Sequence, residues 1–252
     1  MAKYFMSRGD QGNLQIDDEF LSVALVKKET VIIPASAASR GSEITYTVTS
    51  DTVPIIALRP VNSNVNIYVV DFTLISTNTY RIRLAIFNTT TAQPVVLYIF
   101  GRASETSSTY GRKLFDANGR IVFDSNWKFL RTVKFISGIP ENDVTTNENG
   151  KILAAVITSP NIETQVDVGM YELGTGWFFT DTKQYASVIK RTATAIVIAK
   201  DFYSWSYVED SQTCSGGFPD QNDDCVYSII EERSGYFGSV GNGILIVDVT
   251  NY

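Results

Sequence analysis

The sequence predicts an all-β protein built from antiparallel β-sandwich or barrel modules, two of which fit into its 252 residues. Three observations favour this fold class. Several short runs alternate between apolar and polar residues, other short runs are apolar throughout, and clusters of Asn, Asp, Gly and Ser separate the runs. No window of ten or more residues has the 3.6-residue period of an amphipathic helix.

The clearest alternation lies in residues 79–87 and predicts a half-buried strand. One face of this strand carries Tyr80, Ile82, Leu84 and Ile86. The opposite face carries Thr79, Arg81, Arg83 and Ala85. Residues 21–25 and 166–170 alternate in the same way. Denser apolar runs predict strands buried on both faces, at 65–74, 94–100, 152–158, 193–199 and 244–249.

A sequence echo predicts a β-hairpin unit that the chain uses twice. Residues 12–20 and 119–127 both begin with a turn glycine, continue with alternating apolar residues and an aspartate, and end on an aromatic ring. Asn-Gly pairs at 118–119 and 149–150 are strong hairpin signals. A repeat at a fixed offset indicates duplication, and convergence of two separate hairpins on the same turn chemistry is the alternative.

The polar segment 102–109 contains no large apolar residue and precedes the second copy of the echo. We therefore expect an N-terminal β domain at 1–105 and a C-terminal β domain at 106–252, the latter carrying the cysteine loop at 214–225. One continuous fold with a long surface loop is the alternative.

The composition argues against several classes of function. The chain has no histidine, which excludes Ser-His-Asp and Cys-His catalysis and the usual histidine-based metal sites. The net charge of −6 is spread along the chain, so we expect no nucleic-acid partner. No secretory signal is visible and the apolar runs are too short to span a bilayer, so we expect synthesis in the cytoplasm and no membrane insertion. We expect no enzyme activity and no cofactor.

Two cysteines, Cys214 and Cys225, flank a Gly/Pro/Asp-rich loop. They form either a disulfide, which would stabilise the fold by about 2–3 kcal/mol, or two free thiols. The acidic run at 220–224 spaces its oxygen ligands like the start of a calcium loop, but Cys225 occupies the place of the required glycine. A solvated turn is therefore the favoured interpretation of the run.

Aromatic and acidic residues suggest two further sites, each with a structural alternative. Trp177, Trp205 and Tyr207 would suit a sugar-binding surface, although a core or subunit interface is favoured for aromatic clusters. Asp17 and Asp124 occupy matched positions in the echo. They are either paired carboxylates for glycoside hydrolysis or, as we favour, acceptors for backbone N–H groups in turns.

Residues 110–119 read Tyr-Gly, an apolar strand and a turn ending in Asn-Gly, and residues 122–125 follow with Val-Phe-Asp-Ser. This pattern resembles small tail-associated structural proteins of tailed bacteriophages, a family of unknown function. The resemblance implies a virion protein, made in the host cytoplasm, that acts in the tail or tail tip by assembling with copies of itself and other virion proteins. The alternatives are a β module that binds a host-surface glycan and a capsid decoration protein.

Overall fold

A computed structural model describes most of the chain. It covers residues 6–8, 14–17, 23–35, 42–86, 89–102, 109–116, 118–138, 140–147, 150–157, 162–170, 177–211 and 243–252. Within these ranges only the backbone is described for residues 6–8, 14–17, 162–170, 177–184 and 202–211.

The described residues form strands and turns without an α-helix, which confirms the all-β prediction. The first eight strands are β1 (Met6–Arg8), β2 (Leu14–Asp17), β3 (Val23–Ile33), β4 (Ser42–Thr49), β5 (Ile55–Pro60), β6 (Ile67–Ser76), β7 (Thr79–Ile86) and β8 (Gln93–Arg102). The other nine are β9 (Lys113–Phe115), β10 (Ile121–Asp124), β11 (Thr132–Ser137), β12 (Asn142–Thr146), β13 (Leu153–Ile157), β14 (Ile162–Met170), β15 (Trp177–Arg191), β16 (Ala195–Ser211) and β17 (Gly243–Asp248).

Two large antiparallel sheets pack face to face as a β-sandwich. The six-stranded sheet has the order β11-β17-β13-β5-β8-β3. The seven-stranded sheet has the order β12-β16-β15-β6-β7-β4, and β14 pairs with β15 beside this path. Both sheets end in edge strands, so the sandwich is not a closed barrel. Two small hairpins, β1–β2 and β9–β10, form separate two-stranded sheets.

The strand order shows that the fold is duplicated. In the first half β8 lies between β5 and β3, and β7 lies between β6 and β4. In the second half β17 lies between β13 and β11, and β16 lies between β15 and β12. The halves join in the middle through the antiparallel pairs β5·β13 and β6·β15. This mirrored order is the one that a two-fold relation between the halves would produce, and β14 has no counterpart among the described strands of the first half.

The two hairpins match strand for strand at an offset of 107 residues, which confirms the hairpin unit predicted from the echo. In β1–β2 the paired residues are Met6 with Asp17, Ser7 with Ile16 and Arg8 with Leu14. In β9–β10 they are Lys113 with Asp124, Leu114 with Phe123 and Phe115 with Ile121. The irregular register falls at the same place in both hairpins. The offset continues into the next strands, since β3 has a bulge between Leu25 and Lys27 and β11 has one between Thr132 and Lys134.

The segments that follow the hairpins pair with each other. The Leu25 N–H donates to the Lys128 carbonyl at 2.8 Å, and the Leu130 N–H donates to the Val23 carbonyl at 3.2 Å. Ala24 and Phe129 form an isolated antiparallel bridge between these two bonds. Val23 and Leu130 are themselves 107 residues apart, so equivalent positions of the two halves meet here.

The main core lies between the two sheets. Its fully buried side chains come from both halves and include Leu58, Leu84, Leu97, Ile198 and Ile244. A second apolar cluster lies on the opposite face of the six-stranded sheet, where Val96, Tyr98 and Phe100 alternate with the core residues of β8. Residues 94–100 are therefore buried on both faces, as predicted. The division at residues 105 and 106 stays a prediction, and each large sheet contains strands from both sides of it.

The alternation predicted for residues 79–87 is confirmed for residues 79–86, except that Ala85 on the outer face is fully buried in an apolar cluster. Ile82, Leu84 and Ile86 are buried in the core, whereas Arg81 and Arg83 lie on the outer face of the seven-stranded sheet. There Arg81 pairs with Asp71 at 2.7 Å.

Candidate functional site

The turn of the β9–β10 hairpin is built around Asp116. Its carboxylate accepts the backbone N–H groups of Asn118 and Arg120, each at 2.9 Å, and Nε–H of Arg120 at 2.6 Å. These bonds, the backbone bond from Arg120 first, hold the pKa of Asp116 below its ordinary value. Gly119 has a φ of +77°, which suits the left-handed position of a three-residue hairpin loop. The Asn-Gly signal thus predicted the hairpin, but its loop is longer than a two-residue turn.

Asp124, at the end of the same hairpin, stabilises a turn. Its side chain is fully buried, and Oδ1 accepts the backbone N–H of Asn126 at 2.8 Å and the Asn126 amide at 3.0 Å. Nζ of Lys113 lies 3.9 Å from Oδ2. A buried carboxylate with these partners is not exposed to a substrate. The turn interpretation is therefore supported for Asp124, whereas the side chain of Asp17 lies outside the described residues.

The hairpin also forms one wall of a cleft of about 730 Å³. The other wall is the end of the first half, where β3, β4 and β8 and the turn after β4 meet. Its apolar lining residues are Val26, Val48, Ile99, Phe100 and Ile121. Its other lining residues are Gly101 and the polar Thr49, Ser50, Asp51, Asn78, Arg102 and Arg120. We call this site the hairpin cleft.

Two arginines line the hairpin cleft, and the guanidinium group of each has a carboxylate partner. Nη1 of Arg102 lies 3.4 Å from Oδ2 of Asp51, which is a long contact between partly exposed side chains. Arg120 contacts Asp116 through Nε, so this ion pair does not occupy its two terminal nitrogens. Asp116 is not among the lining residues. With Asp116 included, the two arginines and two aspartates at the cleft sum to no net charge.

A smaller cavity of about 140 Å³ opens between the sheets. All its described lining residues are apolar, among them Val53, Phe72, Ile82 and Ile157. It lacks the polar groups that orient a ligand, so the hairpin cleft is the better candidate for specific binding.

A lysine at equivalent positions links the two sheets at both ends of the sandwich. Lys27 of β3 donates to the Tyr46 hydroxyl of β4 at 3.1 Å and pairs with Glu29 at 2.5 Å, and Tyr46 also donates to Glu29. These contacts, the bond with Glu29 first, raise the pKa of Lys27 to about 12. At the other end Lys134 of β11 pairs with Asp143 of β12 at 2.7 Å.

The apolar edge is our name for the outer surface of β11. Two large apolar side chains are exposed there, namely Val133 by 41% and Phe135 by 61%. Val144 of β12 is exposed by 50% on the outer face of the other sheet. Position 135 of β11 corresponds to position 28 of β3, since both follow the matched bulges. The first half therefore carries a lysine where the second half carries an exposed phenylalanine.

The structure places the predicted aromatic residues on one long hairpin, β15–β16. Trp177 pairs with Ser211, Trp205 with Lys183 and Tyr207 with Asp181. Six positions along β15 separate Trp177 from the partner of Trp205, or roughly 20 Å at strand spacing. The side chains of these three residues lie outside the described part, so the glycan surface stays a prediction.

Cys214, Cys225 and the acidic run at 220–224 also lie outside the described residues. Among the side chains that are described, no group of three or more acidic or cysteine residues is arranged to hold a metal ion. Among the described residues, no helix is long and apolar enough to cross a membrane.

Comparison with known proteins gave no relative. No family model, curated protein sequence or solved structure matches the chain.

Proposed function

We propose that this chain is a virion structural protein of a tailed bacteriophage, acting in the tail or tail tip by assembly with copies of itself and other virion proteins. The resemblance of residues 110–125 to tail-associated proteins motivates the phage assignment. In the structure these residues form the β9–β10 hairpin, and the only buried acid in them, Asp124, stabilises a turn. The hairpin motif therefore supports a structural role for these residues.

The apolar edge is the observation that carries the assembly role. Folded proteins usually protect an edge strand with charges, particularly lysine, because unpaired backbone groups recruit further strands. β3 carries Lys27 and Lys28, and it also exposes Val26 by 49% and Ile32 by 63%. β11 keeps Lys134 at the position of Lys27 but has Phe135 in place of Lys28, and it exposes Val133 and Phe135 beside an edge without a further strand in the described sheet. Such an edge favours the addition of a strand from another subunit.

We expect a second copy of this chain to pair with the apolar edge. The two halves of each chain already join by pairing the edges of both sheets, so the fold tolerates side-by-side extension of its sandwich. A contact between identical surfaces closes as a symmetric multimer.

Light scattering of the purified protein tests this proposal. We expect a defined multimer, and Phe135→Lys should shift it toward the monomer because the edge then gains the charge that β3 carries. Leu74→Lys is the matched control, since Leu74 is also 61% exposed but lies on β6 in the first half. A monomer at all concentrations, or a multimer that Phe135→Lys leaves intact, would contradict assembly through the apolar edge.

Three further measurements refine the proposal and separate it from the alternatives. A change in mass with reductant would implicate Cys214 and Cys225 in the assembly. Labelled protein that binds purified capsids and not tails would favour a capsid decoration protein. Saturable binding on a glycan array, lost in Trp205→Ala, would favour the host-surface-binding module.

A further inference from the structure

The smaller cavity between the sheets is walled by core side chains from both halves of the fold. Leu58 and Ile82 come from the two sheets of the first half, and Ile157 comes from β13 of the second half. All three side chains are buried and belong to the main core. The cavity therefore lies where the two halves join, and packed strands of both sheets hold its walls.

The cavity has an opening to the surface. Val53 lines it and is itself 67% exposed, so the opening lies beside this residue. The next lining residue, Pro54, is buried, and its ring fixes the backbone φ at about −65°. A ligand therefore has a path into the cavity that requires neither sheet to open.

The lining favours an apolar ligand over water. The side chains of all described lining residues contain only carbon and hydrogen. A buried water molecule needs about two to four polar partners, which these side chains do not provide. An apolar molecule instead gains dispersion contacts with the walls and removes its own surface from water. The cavity therefore selects a ligand by size and apolarity and not by hydrogen bonds.

The volume of about 140 Å³ sets the size of the ligand. An engineered apolar cavity of roughly 150 Å³, lined by Leu, Ile and Phe in an unrelated protein, binds benzene. An aromatic ring or an alkyl segment of about six carbon atoms therefore fills a cavity of this volume. A longer alkyl chain would place its remaining atoms and its polar end at the opening beside Val53.

We infer that this cavity binds an apolar group of about six carbon atoms, supplied by a free small hydrocarbon or by the end of an alkyl chain. The inference goes beyond the proposed function and does not depend on it, because no described lining residue belongs to β11. The cavity is also distinct from the hairpin cleft, with which it shares no described lining residue.

Isothermal titration with benzene, and with phenol as a polar probe of similar shape, tests the inference. We expect saturable binding of benzene and a higher melting temperature in its presence, since a ligand that binds only the folded state stabilises that state. Phenol should bind about tenfold more weakly, because its hydroxyl group would be buried without a partner.

Competition by 1-octanol distinguishes the two sources of the apolar group. If 1-octanol displaces benzene, the cavity takes the end of an alkyl chain whose polar group stays at the opening. If benzene binds and 1-octanol does not displace it, the cavity takes free small hydrocarbons.

Two variants that fill the cavity test its location. Leu58→Phe and Leu245→Phe each place a larger side chain in the lining, and each should abolish benzene binding. Leu245 is only partly buried, so its variant keeps the test valid if the change at Leu58 impairs folding. Leu74→Phe is the matched control, because Leu74 is exposed and lies outside the lining, and it should leave binding unchanged. Absence of saturable benzene binding, equal binding of benzene and phenol, or insensitivity to both filling variants would overturn the inference.

Discussion

Leu58→Ala tests whether the two halves of the sandwich form one cooperative unit. Leu58 of β5 is fully buried in the main core. It pairs with Ala155 of β13 where the two halves join, and Ala155 in turn pairs with Ile246 of β17. The Leu58 side chain therefore packs at the join between the halves. Truncation of a buried leucine to alanine costs about 2–5 kcal/mol, depending on how far the cavity collapses.

This loss is large compared with the stability of an ordinary domain, which is about 5–15 kcal/mol. For a chain of this length each kcal/mol lowers the melting temperature by about 2–4 °C. Differential scanning calorimetry should therefore show one transition that falls by about 5–15 °C. Ile246→Ala, in the other half, should lower the same transition.

Leu74→Ala is the control, because Leu74 is 61% exposed and its truncation should change stability by less than about 0.5 kcal/mol. Two resolved transitions, only one of which moves in Leu58→Ala, would refute the reasoning. That result would mean that the halves unfold independently despite their shared sheets.

Three further predictions concern the turns and edges. Asp124→Ala should destabilise the β9–β10 hairpin by about 1–2 kcal/mol, because it removes the acceptor of the Asn126 backbone N–H and side-chain amide, and faster amide exchange in the hairpin would report this. The hydrogen bond with Lys27, followed by the one with Tyr46, lowers the pKa of Glu29 below its ordinary value of 4.5. The ionised Glu29 therefore stabilises the folded state fully above pH 4.5, and this contribution is lost as the pH falls through the lower pKa of the folded state. Tyr46→Phe should raise the pKa of Glu29 in an NMR titration, and an unchanged value would contradict the assigned hydrogen bond. An added Cβ in Gly243→Ala would overlap the Phe135 ring, so this variant should lower the free energy of unfolding by about 1 kcal/mol. In a Phe135→Ala background the same substitution should change it by almost nothing, and a double-mutant cycle in urea measures both values.

Local patterns in the sequence predicted some of the strands, whereas β4, β5, β12 and β15 were not predicted. The period of two in residues 79–87 and the apolar run at 94–100 correctly indicated one strand with a polar face and one buried on both faces. The echo located both hairpins, because turn geometry depends on neighbouring residues such as Asp116 and Gly119.

Such local patterns could not predict how the two halves join. Leu58 and Ala155 lie in short apolar runs that would suit any central strand, and nothing local identifies the strand with which each run pairs. The hairpin cleft was missed for a related reason. Asp51, Arg102 and Arg120 occupy separate polar stretches that read individually as solvated turns, and only the tertiary fold brings them together.

Antibody labelling of purified phage particles, viewed by electron microscopy, tests the proposed function most directly. The particles should be those of the phage to which the proposed function assigns this chain. The account predicts label on the tail or its tip in regular, symmetric copies. Particles that carry no label, with the protein recovered only from the soluble lysate as a monomer, would contradict the assignment as a virion structural protein.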